Sequence, residues 1–341
     1  MPDFIKDNWF VLVLAILITC GVVYFTMDTT KDNISSKTDG GKDVVATLKD
    51  QTITADDLYQ EAIPFDAPLL YNMYKNAIIE ESVKTTKDIK KEAKSMEAAI
   101  ESNLKAQGGE NYQIAIDTEL ATYGFNGYEE LDKYCISGVK QKKMNEKFIK
   151  KHFDEYKEPV EKLSPRTISF IKVDIADANA VSKEEQEKMD SIDEALGKQS
   201  FAKTATAFSE DSVTAANDGF FGYVDSTDSS QTTGLNDLVL ASALSLEKGN
   251  TSDWVEVVDP NTNLKSYYKV HVDETDLQEI FKSKEKDVVS RVVNAFMTSN
   301  ANLEMEVIDA AAKKLDIQFQ DKEAQKKLEA YIELMKGDAK E

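Results

Sequence analysis

Two strand-like stretches decide the fold of this chain: PRTISFIKVD (165–174) and SYYKVHVDE (266–274). Both are rich in β-branched and aromatic residues, which favour extended structure over helix. They are separated by a long mixed segment, so they are not consecutive strands of the chain. The pattern therefore predicts a compact domain that begins and ends with a strand.

Helices and a hairpin are predicted between these two strands. Ser182 with Glu185 three residues later forms a capping box that opens one helix, and the apolar spacing of residues 201–208 indicates a second. Segments 253–258 and 264–272 are strands joined by Asp-Pro-Asn-Thr-Asn, a turn sequence. The fold class predicted for residues 164–274 is α+β.

Helical periodicity dominates on both sides of that domain. Apolar residues in 69–156 recur at helical spacing, and the same spacing returns after residue 274. We therefore predict a helical domain built from both chain ends, residues 44–160 and 275–341, with the α+β domain inserted. The short strand-like segments 44–48 and 317–319 are expected to pair with each other, because neither is stable alone.

The N-terminus predicts a membrane anchor. WFVLVLAILITCGVVYF (9–25) runs without a charge and would extend about 25 Å as a helix. Residues 1–25 are therefore assigned to the anchor or signal segment, and the polar residues 26–43 to a flexible tether. LITC (17–20) resembles a lipoprotein box, so lipidation of Cys20 and cleavage of a signal peptide stay open beside an uncleaved single span.

Charge and cysteine content exclude several classes of function. The chain has 62 acidic and 41 basic residues, a formal net charge of −21. Such a field repels polyanions, so we expect no nucleic acid partner. The two cysteines, Cys20 and Cys135, lie in unlike surroundings and suggest neither a disulfide framework nor a zinc site. We expect no metal and no cofactor.

Several motifs resemble known folding factors. FAKTATAFSEDS (201–212), ANDGFFGYV (216–224) and ALSLEKGNTSD (243–253) are similar in order and spacing to segments of parvulin peptidyl-prolyl isomerases. The flanking VATLKDQTITADDLYQE (45–61) and KKLDIQFQDKE (313–323) resemble the two ends of PrsA-type extracytoplasmic foldases. The resemblance implies a foldase in which a parvulin-like domain is inserted into a helical, chaperone-like domain.

The resemblance also implies a site for rotation about X-Pro bonds. In the family, two histidines and an acidic or cysteine residue supply the polar groups. Counted from Arg166, the first histidine position falls on Ser169, the second falls on Tyr268, and the acidic position is kept as Asp211. The apolar pocket for the proline ring maps onto Phe221, Leu235 and Val239, where Val239 replaces a larger aromatic residue.

Neither histidine of the chain is expected to substitute. His271 lies three residues after Tyr268 on one strand, so the period of two directs it to the opposite face, and His152 lies outside the domain. Ser169 and Tyr268 are expected to hydrogen-bond each other or Asp211. Asp211 can equally serve as a turn or cap residue.

Three functions are consistent with these features. The sequence favours a membrane-tethered foldase or chaperone, outside the cytoplasm from about residue 26 onward, that binds unfolded or secreted polypeptide clients and has weak or lost isomerase activity. The alternatives are an active parvulin-type isomerase and a structural or adhesive surface protein. A homodimer is a further possibility.

Overall fold

The computed structural model describes residues 37–39, 42–48, 51–54, 67–108, 111–177, 179–259, 262–315 and 317–338. The predicted anchor at 1–25, with Cys20, lies outside these residues. Among the helices that are described, none combines the length and the apolar character needed to cross a bilayer.

The described chain divides into two compact units. The inserted unit comprises residues 149–300, and the flanking unit comprises the described residues up to 148 and those from 301 onward. These bounds are wider than the predicted insertion at 164–274. Each unit is described separately below.

The flanking unit begins with a small antiparallel sheet of β1 (Lys37–Asp39), β2 (Lys42–Leu48) and β3 (Gln51–Thr54), in the order β1-β2-β3. The expected pairing of residues 44–48 with 317–319 is wrong, because β2 pairs with β1 and β3 and residues 317–319 form no strand. Asp39 pairs with Lys42 across Gly40-Gly41, a pair of residues that favours two-residue hairpins. Part of the predicted tether therefore lies in this sheet.

Four helices follow in this unit: α1 (Ala67–Ser82), α2 (Lys87–Gly108), α3 (Tyr112–Thr122) and α4 (Leu131–Lys151). A buried core joins α2, α3 and α4, made of Ile89, Ala93, Ile100, Leu104, Ile116, Leu120, Leu131, Cys135 and Val139. Cys135 is fully buried there, and burial raises its thiol pKa to about 12. The thiol is thus a packed apolar group rather than a reactive one.

The inserted unit contains α5 (Phe153–Glu161), β4 (Arg166–Ile175), α6 (Lys183–Leu196), α7 (Phe201–Phe208), α8 (Ser212–Ala215), β5 (Phe220–Val224), α9 (Ser230–Thr233), α10 (Asp237–Ser245), β6 (Val255–Val258), β7 (Lys265–Glu274), α11 (Leu277–Phe281) and α12 (Lys286–Ser299). Its four strands form an antiparallel sheet in the order β5-β4-β7-β6. The predicted α+β character is confirmed at this level. The Ser182 capping box is also confirmed, since Ser182 accepts from the Glu185 N–H at 3.2 Å.

Each face of this sheet packs against different helices. Ile168, Phe170, Val270 and Val272 form a core with residues of α10. Ile171, Val173 and Ile175 form a second core with residues of α6 and α7. Because side chains alternate along a strand, these two cores identify which residues of β4 and β7 share a face.

Aromatic contacts explain why the inserted unit extends beyond 164–274. The Phe153 ring of α5 lies 6.1 Å from that of Phe281 in α11 and 5.5 Å from that of Phe296 in α12, between ring centroids. Phe281 and Phe296 are themselves 5.9 Å apart. These three buried or half-buried rings hold α5, α11 and α12 together in one unit.

The chain ends with α13 (Leu303–Ala312) and α14 (Lys322–Asp338), which return to the flanking unit. The Tyr331 ring of α14 lies 5.7 Å from that of Tyr71 in α1. Lys75 of α1 pairs with Glu304 of α13 at 2.9 Å. Helices from both ends of the chain thus pack together.

Candidate functional site

The candidate site lies on the sheet face that packs against α10. Phe170 and Tyr268 have ring centroids 5.4 Å apart at an edge-on angle, and Phe221 lies 5.7 Å from Phe170. We call these three rings the aromatic face. Tyr268 shares this face because it pairs in register with Lys172, two residues from Phe170 on β4.

Ser169 does not reach this face. It pairs in register with His271, and its hydroxyl donates to both carboxylate oxygens of Asp273, at 2.9 and 3.1 Å. Ser169 and Tyr268 therefore lie on opposite faces of the sheet. The expected hydrogen bond from Ser169 to Tyr268 or Asp211 is not formed.

Strand alternation explains this difference. Ser169 and Phe170 are consecutive residues of β4, so their side chains lie on opposite faces, and Phe170 is the one beside Tyr268. The register shifts add a residue to the neighbouring strands instead: Phe221 is the extra residue of β5, and Asp273 is the extra residue of β7. The residue of β4 that lies beside Tyr268 is thus Phe170, whereas Ser169 is the position that the resemblance assigns to the first histidine.

Asp211 is a helix cap that lies close to Tyr268. Its Oδ1 accepts from the Thr214 N–H at 2.8 Å and from the Thr214 hydroxyl at 2.9 Å, at the start of α8. Burial raises the pKa of Tyr268, the positive charge of Lys172 opposes this, and the negative charges of Asp174 and Asp211 add to it. The phenol is consequently neutral and can donate a hydrogen bond at neutral pH.

The predicted pocket residues differ in how accessible they are. Leu235 and Val239 are 4% and 0% exposed, so they lie in the core beneath the aromatic face. Phe221 and Tyr268 are half-buried and keep part of their surface for a ligand. A bound peptide would therefore contact the Phe221 and Tyr268 rings, and Leu235 and Val239 pack beneath these rings.

Neither histidine lies in the site. The His271 ring stacks on Phe201 with centroids 4.9 Å apart on the face opposite Tyr268, as expected, and burial lowers its pKa. His152 precedes α5, where its Nδ1 lies 2.8 Å from the Glu155 carboxylate. No group of three or more His, Cys, Asp or Glu side chains in the described ranges could hold a metal ion.

Sequence reasoning missed Asp273. Burial raises the pKa of this carboxyl to about 6, and the hydrogen bond from Ser169 partly offsets the increase. Alternation along β7 puts Asp273 on the face of His271, but only the register between β4 and β7 brings it to Ser169. That register includes a shift between Thr167 and Ile168, at which Asp273 is the extra residue of β7, and it is not visible in local sequence.

The aromatic face can bind but has few groups for chemistry. Its rings can hold a proline or another apolar side chain, and the Tyr268 hydroxyl and the Lys172 ammonium are the nearby donors. Lys172 is engaged by Asp174 at 2.8 Å. The arrangement therefore favours binding of the proline ring over polarisation of the imide bond.

Comparison with known proteins gives a consistent set of relatives. The chain is 28% identical over 294 residues to the foldase protein PrsA of Streptococcus agalactiae serotype V, covering 84% of this chain and 86% of that protein. The PrsA of serotype III is 27% identical over the same length. No family model matches the chain.

Solved structures of the same name are also similar. A crystal structure of PrsA from Bacillus subtilis covers 85% of this chain and 99% of its own, at 20% identity and a TM-score of 0.43. One from Streptococcus pneumoniae covers 83% and 97%, at 19% identity and a TM-score of 0.38. The resemblance to PrsA-type foldases that the sequence motifs indicate is confirmed by the curated relatives over most of the chain.

Proposed function

We propose that this protein is a PrsA-type foldase that binds unfolded, secreted polypeptides and isomerises their X-Pro bonds weakly or not at all. The observation that carries the proposal is the pair Phe170 and Tyr268, two aromatic rings that meet on one face of the sheet, with Tyr268 at the position where the resemblance implies the second histidine. The client-binding role rests on the likeness to PrsA foldases over 84% of the chain.

The physical reason is the size of the isomerisation barrier. Rotation about an X-Pro bond must cross ~18–20 kcal/mol of amide resonance and steric energy. A positioned polar group that assists a transition state typically contributes ~10²–10⁴ in rate. The aromatic face supplies an apolar grip on the proline, while its nearest cation, Lys172, is already paired. We therefore expect the aromatic face to bind X-Pro segments but to accelerate their isomerisation little.

Client binding should appear as suppression of aggregation. We expect the chain to lower light scattering from chemically denatured citrate synthase by at least about twofold, because it covers apolar surface that would otherwise associate. Phe221→Ser should weaken this suppression by removing a ring of the aromatic face. Val258→Ser is the matched control, since Val258 is 42% exposed on the far edge strand β6. Undiminished scattering with the parent chain would contradict the foldase proposal.

The proposal includes a location outside the cytoplasm, with residues 1–25 as the membrane tether. It is supported by the uncharged run 9–25 and the polar segment after it. Protease added to intact cells stripped of wall should digest the chain from about residue 26 onward. Full protection of the chain in intact cells, with digestion only after lysis, would contradict the proposed topology.

A working isomerase is the second candidate, and one observation favours it. Tyr268, Lys172 and Asp211 lie near one another beside the aromatic face, since the charges of Lys172 and Asp211 both act on the pKa of Tyr268. A neutral phenol with a neighbouring ammonium could donate to a twisted imide. Refolding of a client limited by an X-Pro bond, with the parent chain and with Asp211→Ala, separates the two candidates.

A further inference from the structure

A cavity adjoins the aromatic face and shares one of its rings, Phe221. It has a volume of about 300 Å³ and is formed between α8, β5 and the start of α12. Its lining includes Val213, Phe220, Gly222, Glu285, Asp287 and Val288. We call it the β5 groove. Val213 is 57% exposed, so an apolar side chain stands uncovered at its side.

The backbone beside the groove is suited to an extended ligand. Strand β5 is an edge of the four-stranded sheet, so one side of its backbone has no strand partner within that sheet. Gly222 has φ +128°, and a Cβ added there would meet nothing within 4 Å. A peptide chain can therefore approach β5 closely at this residue.

The charge of the groove is negative. Glu285 and Asp287 are exposed, and neither makes an ion pair among the residues that the structure describes. The lining cation, Arg291, is engaged by Asp228 at 2.5 Å, so its charge is already matched. Two unmatched carboxylates thus face a groove of mixed lining that includes the accessible side chains of Val213 and Phe220, and the groove complements a ligand that is both cationic and apolar.

We propose that the β5 groove binds an extended client segment in which lysine or arginine flanks an apolar residue. The apolar residue lies against Val213 and Phe220, the basic side chains reach Glu285 and Asp287, and the backbone follows β5. The inference rests on the proposed function in so far as the segment belongs to a client. It adds a preference for basic segments to that function.

The test uses the full chain and a fluorescent octapeptide of alternating valine and lysine. Fluorescence anisotropy should show that this peptide binds at least tenfold more tightly than one of alternating valine and glutamate. Glu285→Gln with Asp287→Asn should weaken binding of the lysine peptide about fivefold, as expected for two exposed charge pairs. Hydrogen exchange of residues 220–224 should slow when the peptide is bound.

A control double variant separates the groove from the charge of the whole chain. Glu184→Gln with Glu247→Gln removes two exposed carboxylates of the inserted unit outside the groove. It should bind the lysine peptide within twofold of the parent chain. An equal loss in both double variants, no loss in the groove variant, or unchanged exchange at 220–224 would overturn the proposal.

Suppression of citrate synthase aggregation is measured on the same preparations. If the parent chain suppresses aggregation but fails the peptide tests, the groove proposal alone is overturned. If the peptide tests succeed without suppression, the groove stands as a peptide site and the foldase function fails.

Discussion

Histidines at positions 170 and 268 together should raise the isomerisation rate by about 10²-fold over the parent chain. The Phe170 and Tyr268 ring centroids are 5.4 Å apart on one face, so polar atoms from both new side chains would act on the same bound peptide. The change is made as Phe170→His with Tyr268→His. The measurement is the rate of cis-to-trans conversion of an X-Pro peptide.

The matched control is Ser169→His with Tyr268→His. It adds the same two side chains, but residue 169 faces Asp273 on the opposite side of the sheet. We expect its rate to stay near that of the parent chain. Because Phe170 is 4% exposed and its replacement will cost stability, both variants need a thermal melt to show that they are folded at the assay temperature. A faster Ser169 variant would contradict the assignment of the face.

Asp273→Asn should stabilise the inserted unit at neutral pH by about 2 kcal/mol. Burial raises the pKa of Asp273 to about 6, whereas an unfolded chain has the ordinary value of 3.8. A rise of about 2 units corresponds to about 3 kcal/mol, and the partial exposure of the side chain reduces the expected effect. Asparagine keeps an oxygen that can accept from Ser169 without placing a charge there.

The sign of the pH dependence follows from proton binding. Between pH 3.8 and about 6 the folded state holds a proton on Asp273 that the unfolded state has released. This group therefore lowers the free energy of unfolding as the pH rises through that window, and the penalty is complete above it. Ionisation of the carboxyl is the cause, so the asparagine variant should lose this component.

Urea denaturation of the parent chain and the variant at pH 5 and pH 7.5 measures the effect. The difference between the two proteins should be larger at pH 7.5. Asp253→Asn serves as the control, because Asp253 is exposed and its substitution should change neither value by more than about 0.5 kcal/mol. Equal stabilisation at both pH values would show that ionisation of Asp273 is not the cause.

Features set by local sequence were predictable. The capping box of Ser182 with Glu185 needs only residues three positions apart, and β4 and β7 follow from β-branched and aromatic composition. The opposite orientation of His271 and Tyr268 follows from strand alternation alone. These features depend on neighbours in the chain, and the structure contains them as expected.

Features set by distant contacts were not predictable. The partner of Ser169 is Asp273, which is 104 residues away, and their contact depends on the register between β4 and β7. The bounds of the inserted unit depend on Phe153 meeting Phe281 and Phe296. Such contacts have no local signature, so the sequence predicted neither the contact of Ser169 with Asp273 nor the bounds of the inserted unit.

We propose above all that the aromatic face binds peptides without efficient isomerisation. Refolding of a client whose slow phase is limited by an X-Pro bond is followed with the parent chain and with Asp211→Ala. The account predicts a rate within about tenfold of the uncatalysed phase, which lasts tens to hundreds of seconds, and no further loss in the variant. Turnover equal to that of an efficient parvulin, abolished by Asp211→Ala, would contradict it.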